Sequence, residues 1–278
     1  MEKINRNERI ALLMKCLTDS PGEIMNLGSF SEILSSAKST ISEDIDIVKN
    51  LLAKLDIGSI ETIPGAQGGV RFVPGFSKEK SISILQKLCD KLSDSQRILP
   101  GGYLYMLDII YDPKLVRDIA SIFAGHFFHK GIDYVVTVET KGIPLAFAVA
   151  ECLNIPLVIV RHNSEATDGP SVNTKYISGS AKKIQTMILS LRSLKRNSKV
   201  LFIDDFMKGG GTAKGIIELT KEFDCEVAGI GVLIETAKPS KKLIDKYISL
   251  LSLNVVDDNE KIIDIKPSVL YRANITQR

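Results

Sequence analysis

The chain has no tryptophan, only three histidines and only four cysteines among its 278 residues, and aromatic side chains make up 6% of it. Each scarcity narrows the functions open to it. Cys16, Cys89, Cys152 and Cys225 are far apart, each in an apolar-patterned segment. That pattern fits buried thiols in a reducing cytoplasm better than a disulfide framework or a metal knuckle. His126, His129 and His162 are too scattered to nominate a metal cluster or a catalytic acid. The first two flank Phe127 and Phe128 near a predicted helix end, a setting that suits packing or capping. There is no run of roughly eighteen apolar residues and no basic-plus-apolar leader, so we expect a soluble, untargeted, cytoplasmic protein with no membrane partner.

Net charge is scarce too, at +3. Residues 1–75 carry eight Lys and Arg against ten Asp and Glu, a balance of −2, and the remainder is +5. Neither part has the basic excess of a general polyanion binder, so any nucleic-acid role must rest on geometry. With 44% hydrophobic residues the chain can bury at least one full core, and its length fits one or two domains.

Residues 4–73 read as short helices followed by a hairpin. Ile10, Leu13, Met14 and Leu17 share one helical face. A second helix is expected to start at Ser29, with Glu32 three residues on, and to bury Phe30, Ile33, Leu34 and Ala37. A third is expected to start at Thr40, with Glu43 three residues on, and to bury Ile41, Ile45, Val48, Leu52 and Leu55. Both starts have capping-box spacing, in which the two side chains satisfy otherwise orphaned N–H groups. Only "AKS" separates them, which leaves room for the tight turn of a helix-turn-helix. "IGSIETIPGAQGGVRFVP" then gives two β-prone runs around a Pro/Gly tip, the pattern of a wing.

A helix pair with a hairpin also occurs in protein-docking modules, and the third helix bears on the choice. "AKSTISED" puts Lys38, Ser39, Thr40 and Ser42 at its N-terminal end, where recognition helices offer small donors to phosphates and base edges. Lys3, Arg6 and Arg9 form a basic stretch at the N-terminus, and Arg71 lies on the wing. These four cations with Lys38 are the expected DNA contacts. Glu43 and Asp44 would repel phosphate unless capping or orientation takes them out of the interface.

A linking amphipathic helix carries Ile82, Leu85, Leu88 and Leu92 on one face. From Asp112 the rhythm becomes strand–helix–strand. Asp112-Pro113 starts a helix that runs toward Lys130. "DYVVTVE", "IPLVIVR", "KVLFIDD" and "CEVAGIGVLIET" are apolar strands, with helices at "IPLAFAVAECL" and after Thr212. Apolar strands alternating with helices indicate a mainly parallel sheet covered on both faces, with ligands at the carboxyl ends of its strands. Asp204 and Asp205 stand at one such end, and Glu139, Thr140, Lys141 and Gly142 at another.

The stretch "VLFIDDFMKGGGTAKG" carries the chemistry. Backbone N–H groups of "KGGGT" can converge on a phosphate at the start of the following helix, and Thr212 can add a hydroxyl. Paired carboxylates suit the neighbouring hydroxyls of a sugar. Neither the Walker nor the Rossmann spacing is present. Phe206 is a candidate flank for a base or nucleotide ring, and equally a core residue.

This run resembles the phosphoribosyl-diphosphate (PRPP) motif of type I phosphoribosyltransferases. The resemblance, over roughly residues 100–240, implies that Asp204 and Asp205 bind the ribose hydroxyls. It implies that Lys208, Gly209, Gly210, Gly211 and Thr212 cradle the 5′-phosphate. "VETKG" is similar to the family's diphosphate loop, which brings in Thr140, Lys141 and Gly142. "HNSEATDGPSVNTKY" falls where the family keeps a mobile loop. Lys208 departs from the small hydroxyl residue often found there in the enzymes. The motif is specific for PRPP binding and not for catalysis.

Taken whole, the chain resembles the purine operon repressors of Gram-positive bacteria, through "RILPGGYLYMLDI" and "VIVRHNSEATDGPSVNTKYISG" as well. The resemblance implies an α/β chain with an N-terminal winged helix-turn-helix at 1–74. A type I phosphoribosyltransferase-like domain with a central, mainly parallel sheet follows at 75–278. It implies a homodimer that binds double-stranded DNA at purine gene operators and is released by PRPP, with Mg²⁺ as its candidate companion. No cofactor, resident metal or catalytic residue is implied for the repressor. The residues leave two other readings open, an active purine phosphoribosyltransferase with an accessory N-terminal domain and a protein-docking module.

Overall fold

The computed structural model describes residues 4–65, 67–163, 169–177 and 184–268. Three helices begin the chain: α1 (Arg6–Asp19), α2 (Leu27–Ile33) and α3 (Lys38–Leu55). Asn5 caps α1 in a reciprocal box, accepting from the N–H groups of Asn7 and Glu8 while its own N–H donates to Glu8 at 2.8 Å. The helices close over Leu13, Leu17, Phe30, Leu34, Ile41, Ile45, Val48 and Leu52. Strands β1 (Ser59–Ile63) and β2 (Gly69–Val73) pair antiparallel as the wing, and add Ile60, Val70 and Phe72 to the same core. Met25 exchanges both backbone hydrogen bonds with Val70, which ties the approach to α2 onto the wing.

Both expected helix starts in this unit are displaced. Asn26 caps α2, accepting from the Ser29 N–H at 2.8 Å, so Ser29 and Glu32 lie inside the helix, and Ile33 and Ala37 are exposed. In α3 the N–H of Ile41 already bonds to the Ala37 carbonyl at 3.0 Å. The helix therefore starts at Lys38, Ala37 supplies no capping side chain, and the Thr40–Glu43 box does not form. Leu55 is also exposed, because Asp56 turns left-handed there and ends the helix.

Asp56 accepts from both the backbone N–H and the hydroxyl of Ser77, which leads into α4 (Lys78–Leu92). That helix buries Leu85, Leu88, Cys89 and Leu92 and packs on the far edge of the main sheet rather than on the wing. The short pair β3 (Ile98–Leu99) and β4 (Tyr103–Leu104) and the turn α5 (Leu107–Ile110) lead to α6 (Pro113–Phe127). Asp112 caps α6 through the N–H groups of Lys114 and Leu115, with Pro113 in its first turn.

The main sheet contains β5 (Tyr134–Val138), β6 (Leu157–Val160), β9 (Lys199–Met207), β10 (Glu226–Thr236), β11 (Ile248–Asp257) and β12 (Ile262–Pro267). Its order is β12-β11-β10-β9-β5-β6; every neighbouring pair is parallel except the edge pair β11–β12. Helix α7 (Ile143–Leu153) joins β5 to β6, and α8 (Gly211–Lys221) joins β9 to β10. Between them an antiparallel hairpin, β7 (Ser171–Ile177) and β8 (Ile184–Ser190), packs over α8.

Alternation on β9 builds both cores. Leu201 and Ile203 face the layer of α4, α6 and α7, while Val200 and Phe202 face the layer of α8 and the hairpin. With β5 and β9 adjacent and parallel, their carboxyl ends open side by side. No described helix is long and apolar enough to cross a membrane.

Candidate ligand pocket and nucleic-acid interface

Strand β9 carries Asp204, Asp205 and Phe206 to its carboxyl end, with Asp204 opposite Val232 of β10. The chain then turns through Lys208 and Gly209, and Gly210 sits in the N-cap position of α8 at φ +81°. A side chain would be strained in that conformation, and none caps the helix, so its first-turn N–H groups remain available.

The segment after β10 holds this turn from behind. The Lys242 ammonium donates to the Lys208 carbonyl at 2.7 Å and to the Thr236 carbonyl at 2.5 Å, and the Leu243 N–H donates to the Gly209 carbonyl at 2.9 Å. Across a planar trans peptide the carbonyl and the next N–H point opposite ways. Pinning those two carbonyls therefore turns the N–H groups of Gly209 and Gly210 away from the pins, which pre-organises an anion nest. Burial holds the Lys242 ammonium below its usual pKa, and Glu235 partly offsets that shift. No motif marked Lys242, which lies in a polar loop.

Beside this turn, the end of β5 supplies the second loop. The Glu139–Thr140 peptide is cis, Thr140 and Lys141 are exposed, and Gly142 starts α7. A Cβ on Gly142 would fall 3.0 Å from Asp204 Oδ1 and 2.7 Å from Thr137 Oγ1, so only glycine lets the two loops approach this closely. Glu139 is turned to the next strand end, where it accepts from the His162 N–H at 2.6 Å.

A cavity of about 520 Å³ opens between these elements. It is lined by Asp204, Asp205, Phe206, Lys208, Gly209, Gly210, Gly211 and Thr212, together with Lys141. Thr140 and Gly142 belong to the adjoining loop but do not line it. Gly101 and Gly102, from the turn between β3 and β4, and Tyr103 at the start of β4 also line it and were not named as site residues by sequence reasoning. Phe206 lines the cavity and also packs against the core on the α6 side. Burial, and then the neighbouring Asp205 carboxyl, raise the Asp204 pKa well above the usual carboxylate range. The site can thus offer backbone donors to an anion and carboxyl oxygens to hydroxyl groups.

In the segment expected to be a mobile loop, residues 171–176 form strand β7, and residues 164–168 lie outside the described residues. Tyr176 of that strand is buried against Gly215 of α8.

The expected DNA contacts divide. Lys38, Ser39 and Ser42 are exposed, and Thr40 partly so, in the first turns of α3, a helix start with no side-chain cap. The basic residues expected beside them are paired with carboxylates. Arg6 and Arg9 both pair with Asp44, at 3.2 and 2.8 Å. The Asp44 side chain is 1% exposed and that of Arg9 12%, so Arg9 neutralises a buried carboxylate instead of facing solvent. Arg71 makes two hydrogen bonds to Glu61 and stacks over Phe128. Lys3 lies outside the described residues. Asp44 is thereby removed from the helix surface, while Glu43 stays exposed.

Comparisons with known proteins match two parts of the chain separately. Residues 5–74 match the family described as "Bacterial purine repressor, N-terminal", and residues 106–268 match "Phosphoribosyl transferase domain". A purine biosynthesis transcriptional repressor of Bacillus subtilis (strain 168) is 46% identical over 264 residues, covering 95% of this chain and 93% of that protein. A purine biosynthesis transcriptional activator of Lactococcus lactis subsp. lactis (strain IL1403) is 41% identical over 263 residues, covering 95% and 97%. Among solved structures, an adenine phosphoribosyltransferase from Thermoanaerobacter pseudethanolicus superposes with a TM-score of 0.52 at 18% identity, covering 60% of this chain and 99% of that one. That likeness concerns the fold alone.

Proposed function

This chain belongs to the purine biosynthesis transcriptional regulators of bacteria, and we propose that it is a DNA-binding repressor whose hold on purine gene operators is relieved by PRPP. The observation that carries the reading is the pinned glycine turn beside Asp204 and Asp205, in one chain with a winged helix. The turn presents N–H groups to the 5′-phosphate, and the carboxyls accept from the ribose hydroxyls. Thr140, Lys141 and Gly142 hold the diphosphate. Lys38, Ser39, Thr40 and Ser42 enter the DNA groove at the start of α3, as in a recognition helix. The working form is a cytoplasmic homodimer.

A Mg²⁺ ion fits this donor set, since it takes hard oxygen ligands from one or two carboxylates and from the phosphates of its partner ligand. When bound it offsets the charge of the diphosphate. Asp204 and Asp205 would hold it together with the ligand.

The reading includes no turnover of a purine base, a statement that rests on the named roles of the relatives. Incubation with PRPP, Mg²⁺ and each of adenine, guanine, hypoxanthine and xanthine tests it. Conversion at about 1 s⁻¹ or faster would make the chain an enzyme. A gel shift on purine-gene promoter DNA, with and without PRPP, tests the regulatory half. Retention without PRPP and release with it is the expected outcome. Absence of retention on any DNA would instead favour a docking module.

A further inference from the structure

The Thr137 hydroxyl is, among the described residues, the one buried side-chain polar atom without a hydrogen-bond partner. Thr137 is 0% exposed and sits next to the last residue of β5, beneath the start of α7. A buried hydroxyl left unpaired costs free energy, so one in a native fold calls for a physical reason. Valine has the same shape, and its neighbours Val135, Val136 and Val138 show that the strand accepts it. Core packing therefore does not require the oxygen.

Its surroundings supply the reason. Thr137 Oγ1 and Asp204 Oδ1 both lie within 3.0 Å of one point, the place where a Cβ on Gly142 would fall. The absence of a side chain at Gly142 leaves open the point that both oxygens border, at the junction of the two loops. Asp204 Oδ1 already accepts the Asp205 N–H at 3.0 Å and has a second lone pair to offer.

We propose that Thr137 is a positioning residue for the ligand pocket: its hydroxyl donates to the Asp204 carboxylate when a ribose diol occupies the site, and fixes that carboxylate toward the sugar. The inference rests on the PRPP reading above. In the empty pocket the donor is idle. When the carboxylate carries its full charge against a bound ligand, the same donor makes a charge-assisted hydrogen bond, about twice as strong as a neutral one.

The test is calorimetry of the full chain with PRPP and Mg²⁺, alongside thermal melts without ligand, for wild type, Thr137→Val and Thr137→Ser. Thr137→Val should bind PRPP roughly tenfold more weakly while melting no lower than wild type, because the idle hydroxyl is gone and the shape is kept. Thr137→Ser, which retains the donor, should stay within about threefold of wild type. PRPP affinity unchanged in Thr137→Val overturns the proposal alone. So does a loss in Thr137→Ser equal to that in Thr137→Val, or weaker binding accompanied by a lower melting temperature, which would mark a packing residue. Failure of the wild type to bind PRPP overturns this inference together with the reading beneath it.

Discussion

On the PRPP reading, Asp204 is the residue at which stability and ligand binding oppose each other. Its folded pKa is raised, chiefly by burial and then by Asp205, so the fold disfavours the charged form. Such a group contributes stability below its ordinary pKa, and the contribution is lost as pH rises through the raised folded value. The unliganded protein should therefore be less stable at neutral pH than Asp204→Asn. We expect the variant to melt about 2–4 °C higher, equivalent to about 1 kcal/mol at this size, and to lose PRPP binding. A melt series across pH should converge for the two proteins on the acid side. The opposite economy holds at Asp44, which is buried and needs its two arginines. Arg9→Ala should cost roughly 3 kcal/mol, read as a fall in the urea midpoint, since it uncovers half of a buried ion pair. Sequence reasoning gave Arg9 to DNA because a basic residue looks the same whether it faces solvent or a hidden carboxylate. The contrary signal was present at Asp44, which shares the helical spacing of Ile41, Ile45 and Val48 and so lies on their buried stripe.

Among the elements, the strands buried on two faces and the Asp112 cap of α6 were legible, while the helix starts of the winged unit were not. "DYVVTVE" and "KVLFIDD" read as strands because continuous apolar runs have no solvent side to show, and both became central strands, β5 and β9. The helix starts in the winged unit slipped because several Asn, Ser and Thr residues compete for each cap. Asn26 won over Ser29 by accepting the Ser29 N–H itself. The hairpin of β7 and β8 was hidden by a resemblance that led one to expect a loop. The glycine turn after β9 was legible, but Lys242, which holds it from 34 residues on in sequence, was not. Lys242→Met should test that dependence. It removes the ammonium from the Lys208 carbonyl and should weaken PRPP binding about tenfold, in line with one lost charged hydrogen bond. Calorimetry is the measurement, and Lys242→Arg, which keeps a donor and the charge, should recover most of the affinity.

At the scale of the molecule, the wing is joined to the main-sheet body by named contacts. Arg71 holds Glu61 and covers Phe128, and His129 Nε2 lies 3.2 Å from Glu61, just past the end of α6. Asp56 fastens the end of the third helix to Ser77 at the entry to α4, which in turn packs on the main sheet. The winged unit therefore meets the body at both its hairpin and its helix end. If PRPP and DNA oppose each other through these contacts, the coupling is reciprocal, and each ligand must weaken the other by the same factor. The most direct measurement is operator affinity at fixed salt with and without saturating PRPP, for wild type and for Asp204→Ala/Asp205→Ala. PRPP should lower wild-type affinity at least about tenfold, near the middle of the usual range for such couplings. The double variant should bind DNA as tightly as wild type and ignore PRPP. A wild-type affinity that PRPP leaves unchanged or strengthens, or a double variant that still responds to it, would contradict the account.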